Sequence, residues 1–184
     1  DINEYSLARA FDVSTSTYVD RFAISSQENN PRAMAFNQNG TKMYVIGHTG
    51  DDVNEYHLTS AFDVSSATYV QRLSIATQES IPFGMTFNND GTKMYVVGIN
   101  AGSTPSSIAQ YSLSEPFNVG SSVTLDHNID ISSIENRAQG IKFNTDGTKV
   151  LVLGTEGDGV DAWDLTTPYD VSTLTVANTA HTPI

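Results

Sequence analysis

Three carboxylates recur at one position of a repeating sequence and are the first candidates for chemistry. Glu28, Glu79 and Glu135 each stand eight residues before a repeated phenylalanine. If the repeats stack side by side, these carboxylates form an arc on one face, where they could bind a cation or the hydroxyl groups of a sugar. The structural alternative is that each glutamate caps its own loop or pairs with an arginine, and the arginines nearby are Arg21, Arg72 and Arg137. We include Arg21, Arg72 and His127 with the three glutamates in the candidate ligand site.

A second acidic group follows the third strand of the repeats. Asp51 and Asp52 lie there in the first copy, and Glu156, Asp158 and Asp161 lie there in the third. Oxygen-rich loops with glycine suit calcium, but no copy has the twelve-residue spacing that ends in a bidentate glutamate. As hairpin turns these segments need no metal. We therefore expect no cofactor, with calcium as the alternative.

Residues for acid–base or nucleophilic catalysis are sparse. The chain has no cysteine, no Gly-x-Ser-x-Gly segment and four histidines without metal-ligand spacing. His127 lies in a predicted strand beside Asp126 and Asp130, where alternate side chains could face a central channel. It could act as a general acid or base, or be a polar residue of the channel or of a contact between repeats. We predict no catalytic set and lean towards a protein that is not an enzyme.

A ten-residue segment that occurs three times must position these residues. It starts at Phe36, Phe87 and Phe143, so the copies are separated by 51 and 56 residues. A period of this size indicates stacked supersecondary units such as propeller blades. Each copy contains Asn-x-Asn/Asp-Gly, which predicts a hairpin turn with glycine at a positive φ.

Four short strands are predicted in each repeat unit, and helical periodicity is absent, so the fold class is all-β. We predict one domain over residues 1–184, a β-propeller of four-stranded antiparallel blades. The repeat units span about 14–58, 65–113 and 121–165, leaving an orphan outer strand at about 2–7 and an orphan inner strand at about 173–182. An aromatic-Asp/Asn-Val element after each fourth strand is expected to cross to the next unit and fill the core between units.

The repeated Phe-Asn-x-Asp-Gly-Thr-Lys-Met-Tyr-Val segment, followed by a strand ending in Tyr-x-Leu, resembles the blades of YVTN/lactonase-like β-propellers. These are related in architecture to WD40 proteins and common in secreted bacterial and phage-associated proteins. The third copy departs from the pattern at Val150, Leu151 and Trp163. The resemblance implies the propeller fold. It does not imply one activity, because the group includes sugar lactonases, adhesins and scaffold proteins.

A formal net charge of −12 limits the partners of the chain. Nucleic acid and anionic membrane surfaces are repelled, and no apolar run reaches the ~20 residues of a membrane-spanning helix. The acidic, cysteine-free composition suits a secreted, cell-surface or virion-associated protein, with a cytoplasmic origin as the alternative. Asp1 in first place fits a removed leader or a piece of a longer chain.

Fourteen strands form an open arc that needs to be closed, because propellers have roughly four to eight blades. The chain could belong to a longer propeller, two copies could join with twenty-eight strands, or the two orphan strands could pair as a thin fourth blade. We expect an interaction module that binds a protein or glycan through its loop face, or that closes a ring with a second copy. The alternatives are a secreted hydrolase of the lactonase type and a structural segment of a fibre or virion surface.

Overall fold

Fourteen β-strands are found in the computed structural model, which describes residues 1–100, 104–155 and 159–183. Between them lie only turns, loops and three short 3₁₀ segments at Val13–Thr15, Val64–Ser66 and Val171–Thr173. The strands are β1 Ile2–Leu7, β2 Ser16–Phe22, β3 Pro31–Phe36, β4 Lys42–Gly47, β5 Asp52–Leu58, β6 Ala67–Ser74, β7 Ile81–Phe87, β8 Lys93–Asn100, β9 Thr104–Leu113, β10 Val123–Asp130, β11 Ala138–Phe143, β12 Lys149–Gly154, β13 Gly159–Leu165 and β14 Leu174–Pro183.

The strands form three four-stranded antiparallel sheets and one two-stranded sheet. The sheets contain β3 to β6, β7 to β10 and β11 to β14, each in sequence order, and β1 pairs with β2. The predicted all-β fold of four-stranded antiparallel blades is confirmed. Strand β7 contacts both β3 and β11 across the sheets, so these three are the inner strands and β6, β10 and β14 are the outermost. None of the helical segments in the described ranges has the length and apolar character needed to span a membrane.

The two strands predicted as orphans both have a partner, which corrects that part of the prediction. Strand β14 pairs with β13 as the outermost strand of the third sheet, not as an inner strand. Strand β1 pairs with β2 and, among the described residues, not with β14, so the thin fourth blade does not form. The chain is therefore three complete blades preceded by the outer half of another. We call β1 and β2 the half-blade.

The aromatic-Asp/Asn-Val link explains the change in strand pairing. Phe62 adopts a left-handed φ of 63°, its N–H donates to the Gly40 carbonyl at 2.9 Å, and Asp63 caps the short 3₁₀ turn that follows. This link turns the chain back on itself, so β6 lies beside β5 in the same sheet. The expected crossing to the next unit is instead made by the loop that carries the recurrent glutamate.

Neighbouring blades are joined by an apolar core in which one aromatic contact and one hydrogen bond recur. The Tyr44 ring lies 4.6 Å from the Phe87 ring of the following blade, and its hydroxyl donates to the Phe117 carbonyl. The next junction repeats this arrangement with Tyr95, Phe143 and Tyr169. The repeated aromatic residues are therefore contacts between blades.

The third blade, at one end of the arc, leaves a sheet face uncovered. Leu151 and Leu153 are exposed on the third blade, whereas the matching Tyr44 and Ile46 are buried. Two copies of the chain would bring six complete blades and two outer half-blades, so they would not form seven four-stranded blades on their own. Self-association stays a prediction.

Candidate functional site: crossover loops and inner groove

The three recurrent glutamates lie buried in the crossover loops between blades. Glu28 accepts hydrogen bonds from the backbone N–H groups of Asn30, at 2.5 Å, and of Thr49, at 3.2 Å. Glu135 accepts one from the Arg137 N–H at 2.6 Å. Each glutamate also packs on a glycine at or near the end of the second strand of a blade, and these glycines are Gly47 of β4, Gly98 of β8 and Gly154 of β12. This geometry matches the loop-capping alternative, and ligand binding by these carboxylates stays a prediction.

Glu79 differs from the other two because a side chain, not its own loop, bonds it. Its Oε1 accepts a hydrogen bond from the Ser107 hydroxyl at 2.5 Å, while Oε2 is buried without a hydrogen-bond partner within the described ranges. Burial raises the pKa of the Glu79 carboxyl to about 7, opposed by the Ser107 hydrogen bond. This carboxyl therefore changes its ionisation near neutral pH.

Arg21 and Arg72 lie at equivalent positions of the outer strands β2 and β6 and pair with equivalent aspartates. Arg21 Nη1 is 3.5 Å from Asp1 Oδ2, and Arg72 Nη1 is 3.2 Å from Asp52 Oδ2. Both guanidinium groups are largely exposed. The structure does not bring them to the recurrent glutamates.

His127 lies on β10, the outermost strand of the second blade, so the expectation that it faces a central channel is wrong. Its Nε2 is 3.7 Å from Asp170 Oδ1 in the link of the third blade. The equivalent Gln71 donates a hydrogen bond to Asn118 at 2.8 Å. His127 is therefore placed as a contact between blades, the second of the two roles considered for it.

The candidate metal ligands are only partly within the described residues. Asp51 lies 3.4 Å from the His48 ring, whereas Asp52 is buried and bonded by Asn54 and Arg72. Burial raises the pKa of Asp52, against the lowering effect of these two partners. Asp161 is buried, and Glu156 and Asp158 lie outside the described residues. In the part of the chain that is described, no three carboxylate or histidine side chains come together as metal ligands.

A groove of about 430 Å³ runs along the inner strands β3, β7 and β11. We call it the inner groove. Its walls are mainly apolar, and two cationic side chains, Arg32 and Lys142, line it. The apolar lining includes Met34, Phe83, Met85, Leu151 and Leu153.

Equivalent residues near the start of each inner strand line the end of the groove next to the crossover loops. Arg32, Phe83 and Gln139 each occupy a β-bulge at the start of their strand, opposite a break in pairing. The Arg32 guanidinium lies 5.3 Å from the centre of the Phe83 ring, within reach of a cation–π contact. Lys142 donates a hydrogen bond to Thr86 at 3.4 Å. The groove therefore offers a cation, an amide and an apolar floor to a ligand.

The inner groove has no recurrent signal in the sequence. The three bulge residues share a position but no chemistry, so they give no recurrent pattern. The paired inner-strand glycines Gly84 and Gly140, which let β7 and β11 approach closely, were the available signal for where the blades converge.

Comparisons with known proteins support the propeller fold. No protein-family model matches the sequence, and a search of curated proteins returned no match. Among solved structures, a functionally unknown protein from Desulfotomaculum acetoxidans is 17% identical with a TM-score of 0.61, over 99% of this chain and 50% of that one. The propeller fold implied by the resemblance is confirmed, whereas membership of the lactonase-like family is not confirmed by sequence.

Two further solved structures show the range of proteins with this fold. The periplasmic gluconolactonase of Pseudomonas aeruginosa is 14% identical with a TM-score of 0.55, over 82% of this chain and 38% of that one. The Cps50 β-propeller domain of Myceliophteria thermophila is 14% identical with a TM-score of 0.54, over 83% of this chain and 43% of that one. The chain spans half or less of the length of these structures, and at this identity the likeness shows the fold alone.

Proposed function

We propose that the protein is a non-enzymatic β-propeller interaction module that binds a protein ligand in the inner groove. The observation that carries this proposal is the stacking of Arg32 on Phe83 beside a floor of methionine and leucine side chains. Mainly apolar concavities with a few convergent polar groups are the usual form of a binding site. The exposed guanidinium favours a segment that places a carboxylate next to apolar side chains.

The hydrogen bonds that occupy the recurrent glutamates Glu28 and Glu135 favour a binding protein over an enzyme. Glu28 and Glu135 are buried and hydrogen-bonded to backbone N–H groups, so using either as an acid, base or metal ligand would break a loop cap. The exposed polar groups of the groove, Arg32 and Lys142, are cations that bind and orient a ligand. The crossover loops border the groove at the end where Arg32 lies, which keeps the loop face as part of the proposed surface.

A lactonase-type hydrolase is the second candidate, favoured by the similarity in fold to a periplasmic gluconolactonase. Such an activity would need a base or a metal close to the groove. Turnover of a panel of sugar lactones or glycosides by the purified protein would overturn the non-enzymatic proposal.

Unbiased selection of ligands tests the proposal. A displayed peptide library and a glycan array are screened against the wild-type protein, and the hits are retested on Arg32→Glu and on Arg21→Glu. Both arginines are exposed, so both variants should fold, and only Arg32 lines the groove. We expect peptides with an acidic residue beside apolar ones, and binding at least tenfold weaker to Arg32→Glu alone. Glycan hits, or peptide hits that both variants bind equally well, would contradict the proposed ligand or site.

A further inference from the structure

Strand β1 has the sequence of an interior strand but lies at a sheet edge. Its residues, Ile-Asn-Glu-Tyr-Ser-Leu, match the Val-Asn-Glu-Tyr-His-Leu of β5. Strand β5 pairs on both sides, with β4 and β6, whereas β1 pairs only with β2 within the described ranges. Natural edge strands are usually protected by lysine, proline or a covering segment, and β1 contains neither residue. Its free edge is therefore open to another strand.

Two backbone groups of each complete blade bond the turn between its two inner strands. In the first blade the Leu58 N–H donates to the Thr41 carbonyl at 2.8 Å and the Phe62 N–H donates to the Gly40 carbonyl at 2.9 Å. The second and third blades repeat both bonds. The half-blade has the same two positions, Leu7 and Phe11, but among the described residues it pairs with no inner strands and therefore with no such turn. These N–H groups mark where the turn of an added hairpin would lie.

Phe11 has the backbone conformation of a residue that covers a turn glycine. Its φ is 62°, against 63° for Phe62, yet the residue is 99% exposed. In the first blade the Phe62 ring lies so close to Gly40 that a Cβ there would be 2.4 Å from it. Phe11 therefore presents a ring shaped to cover a glycine that the half-blade does not contain.

An apolar groove lies beside β1, where inner strands would pack against the first blade. It has a volume of about 180 Å³ and is lined by Ile2 and by β3 residues from Pro31 to Met34, of which Arg32 and Met34 also line the inner groove. Met34 is 37% exposed, whereas the matching Met85 is 3% exposed, because Met85 packs in one cluster with Tyr44 and Ile46 of the preceding blade. Strands added to β1 would cover Met34 in the same way.

Glu4 adds a charge to this edge. In the first blade Glu55 accepts a hydrogen bond from the Val119 N–H on Oε2 and pairs with Lys42 on Oε1, at 3.0 Å. In the same way, Glu4 Oε2 accepts a hydrogen bond from the Val64 N–H. A lysine at the position of Lys42 in an added hairpin would therefore meet Glu4.

We propose that the half-blade is a docking site for a β-hairpin with the Asn-x-Asn/Asp-Gly-Thr-Lys turn, which completes the blade by strand addition. The turn supplies the two carbonyl groups, the glycine supplies the surface under Phe11, and the lysine pairs with Glu4. A second copy is a poor source, because its own hairpins of this kind are already inside four-stranded sheets. The occupant is a polypeptide segment that carries this motif.

Titration of a labelled peptide tests this docking. The peptide has the sequence of residues 31–47, the hairpin of the first blade, and binding to the intact protein is measured by fluorescence anisotropy. The test variant is Phe11→Ser, and the matched control is Val13→Ser, which is 79% exposed in the same link. Neither side chain is buried, so both variants should fold. A second peptide carries Gly40→Val, which the left-handed φ of 70° and the ring of the phenylalanine should exclude.

We expect one peptide to bind per protein, with affinity reduced about tenfold or more by Phe11→Ser, little changed by Val13→Ser, and abolished in the Gly40→Val peptide. Failure of the peptide to bind would overturn the proposal. Equal binding to Phe11→Ser would overturn it as well. A stable dimer of the unliganded protein that Phe11→Ser dissociates would show that a second copy occupies the edge, and would also overturn the hairpin as the partner.

Discussion

The side chain of Glu55 accepts a hydrogen bond from the Val119 N–H of the following blade at 3.1 Å. The same contact joins Glu4 to Val64, and Gln110 accepts from Val171 in the next junction. Ala162 occupies the equivalent position on the third blade, whose face is not covered. The contact is thus present at each junction between blades and absent where the arc ends.

Removal of this contact should destabilise the fold. Burial opposes ionisation of Glu55, but hydrogen bonds from Gln71, Lys42 and His57 outweigh it and hold the pKa of this carboxyl below its usual value. Glu55→Ala removes the carboxylate that pairs with the buried Val119 N–H and the Lys42 ammonium. We expect a loss of about 2–4 kcal/mol in the free energy of unfolding. Denaturant unfolding measures this loss. Ala162→Glu is the matched control and should change stability by less than about 0.5 kcal/mol; equal losses in both variants would refute the junction role.

Ionisation of Glu79 should make stability fall as the pH rises. The pKa of this carboxyl is about 7 in the folded state and near 4.5 ordinarily, so the folded state favours the protonated form. The stabilisation that the protonated Glu79 carboxyl gives the folded state is fully present below pH 4.5 and is lost as the pH rises through 7. At pH 8 to 9 we expect Glu79→Gln to have a free energy of unfolding about 1–3 kcal/mol higher than the wild type, measured by denaturant unfolding. At pH 5 the two proteins should differ little.

Glu28→Gln is the control for this pH dependence. Glu28 accepts backbone N–H groups from Asn30 and Thr49, so its replacement should destabilise the protein at both pH values. A gain for Glu28→Gln, or a Glu79→Gln difference that does not grow with pH, would contradict the distinction between the two carboxylates.

The close approach of β7 and β11 predicts opposite effects for two equivalent glycines. A Cβ at Gly84 would lie 2.8 Å from the Gly140 Cα, whereas a Cβ at Gly140 would meet only Leu153, at 3.8 Å. We expect Gly84→Ala to cost about 2 kcal/mol or more through this backbone clash. Gly140→Ala should be neutral or stabilising by up to about 1 kcal/mol, because it restricts the unfolded chain. Thermal unfolding compares the stability of the two variants. An equal loss of stability in Gly140→Ala would contradict the prediction, because a Cβ at Gly140 would then also meet a close neighbour.

The sequence predicts the blades well because their signals are local. The Asn-x-Asn/Asp-Gly turns form as expected, with Gly40, Gly91 and Gly147 all at positive φ. The pairing of strands depends on whether a link returns to its own sheet or crosses to the next. For the Phe62 link this is decided by the contact of its ring with Gly40, which is distant in sequence and gives no local signal.

The candidate site was predicted less well for a related reason. Glu28, Glu79 and Glu135 recur in the crossover loops, where Glu28 and Glu135 accept hydrogen bonds from backbone N–H groups of their own loops and Glu79 accepts one from Ser107. Recurrence alone therefore does not distinguish a loop cap from a ligand site. Arg32 and Phe83 share a bulge on neighbouring inner strands, but their different chemistry hides the equivalence. Their contact exists only after the blades converge.

Hydrogen–deuterium exchange with and without a selected peptide tests the central claim most directly, because it locates the binding surface. If the inner groove is the binding site, the peptide should slow exchange in β3, β7 and β11 and leave the outer strands β6 and β10 unchanged. The peptide should no longer slow exchange in these strands of Arg32→Glu, but should still slow it in Arg21→Glu. Protection confined to the outer strands, or unchanged protection in Arg32→Glu, would contradict the account.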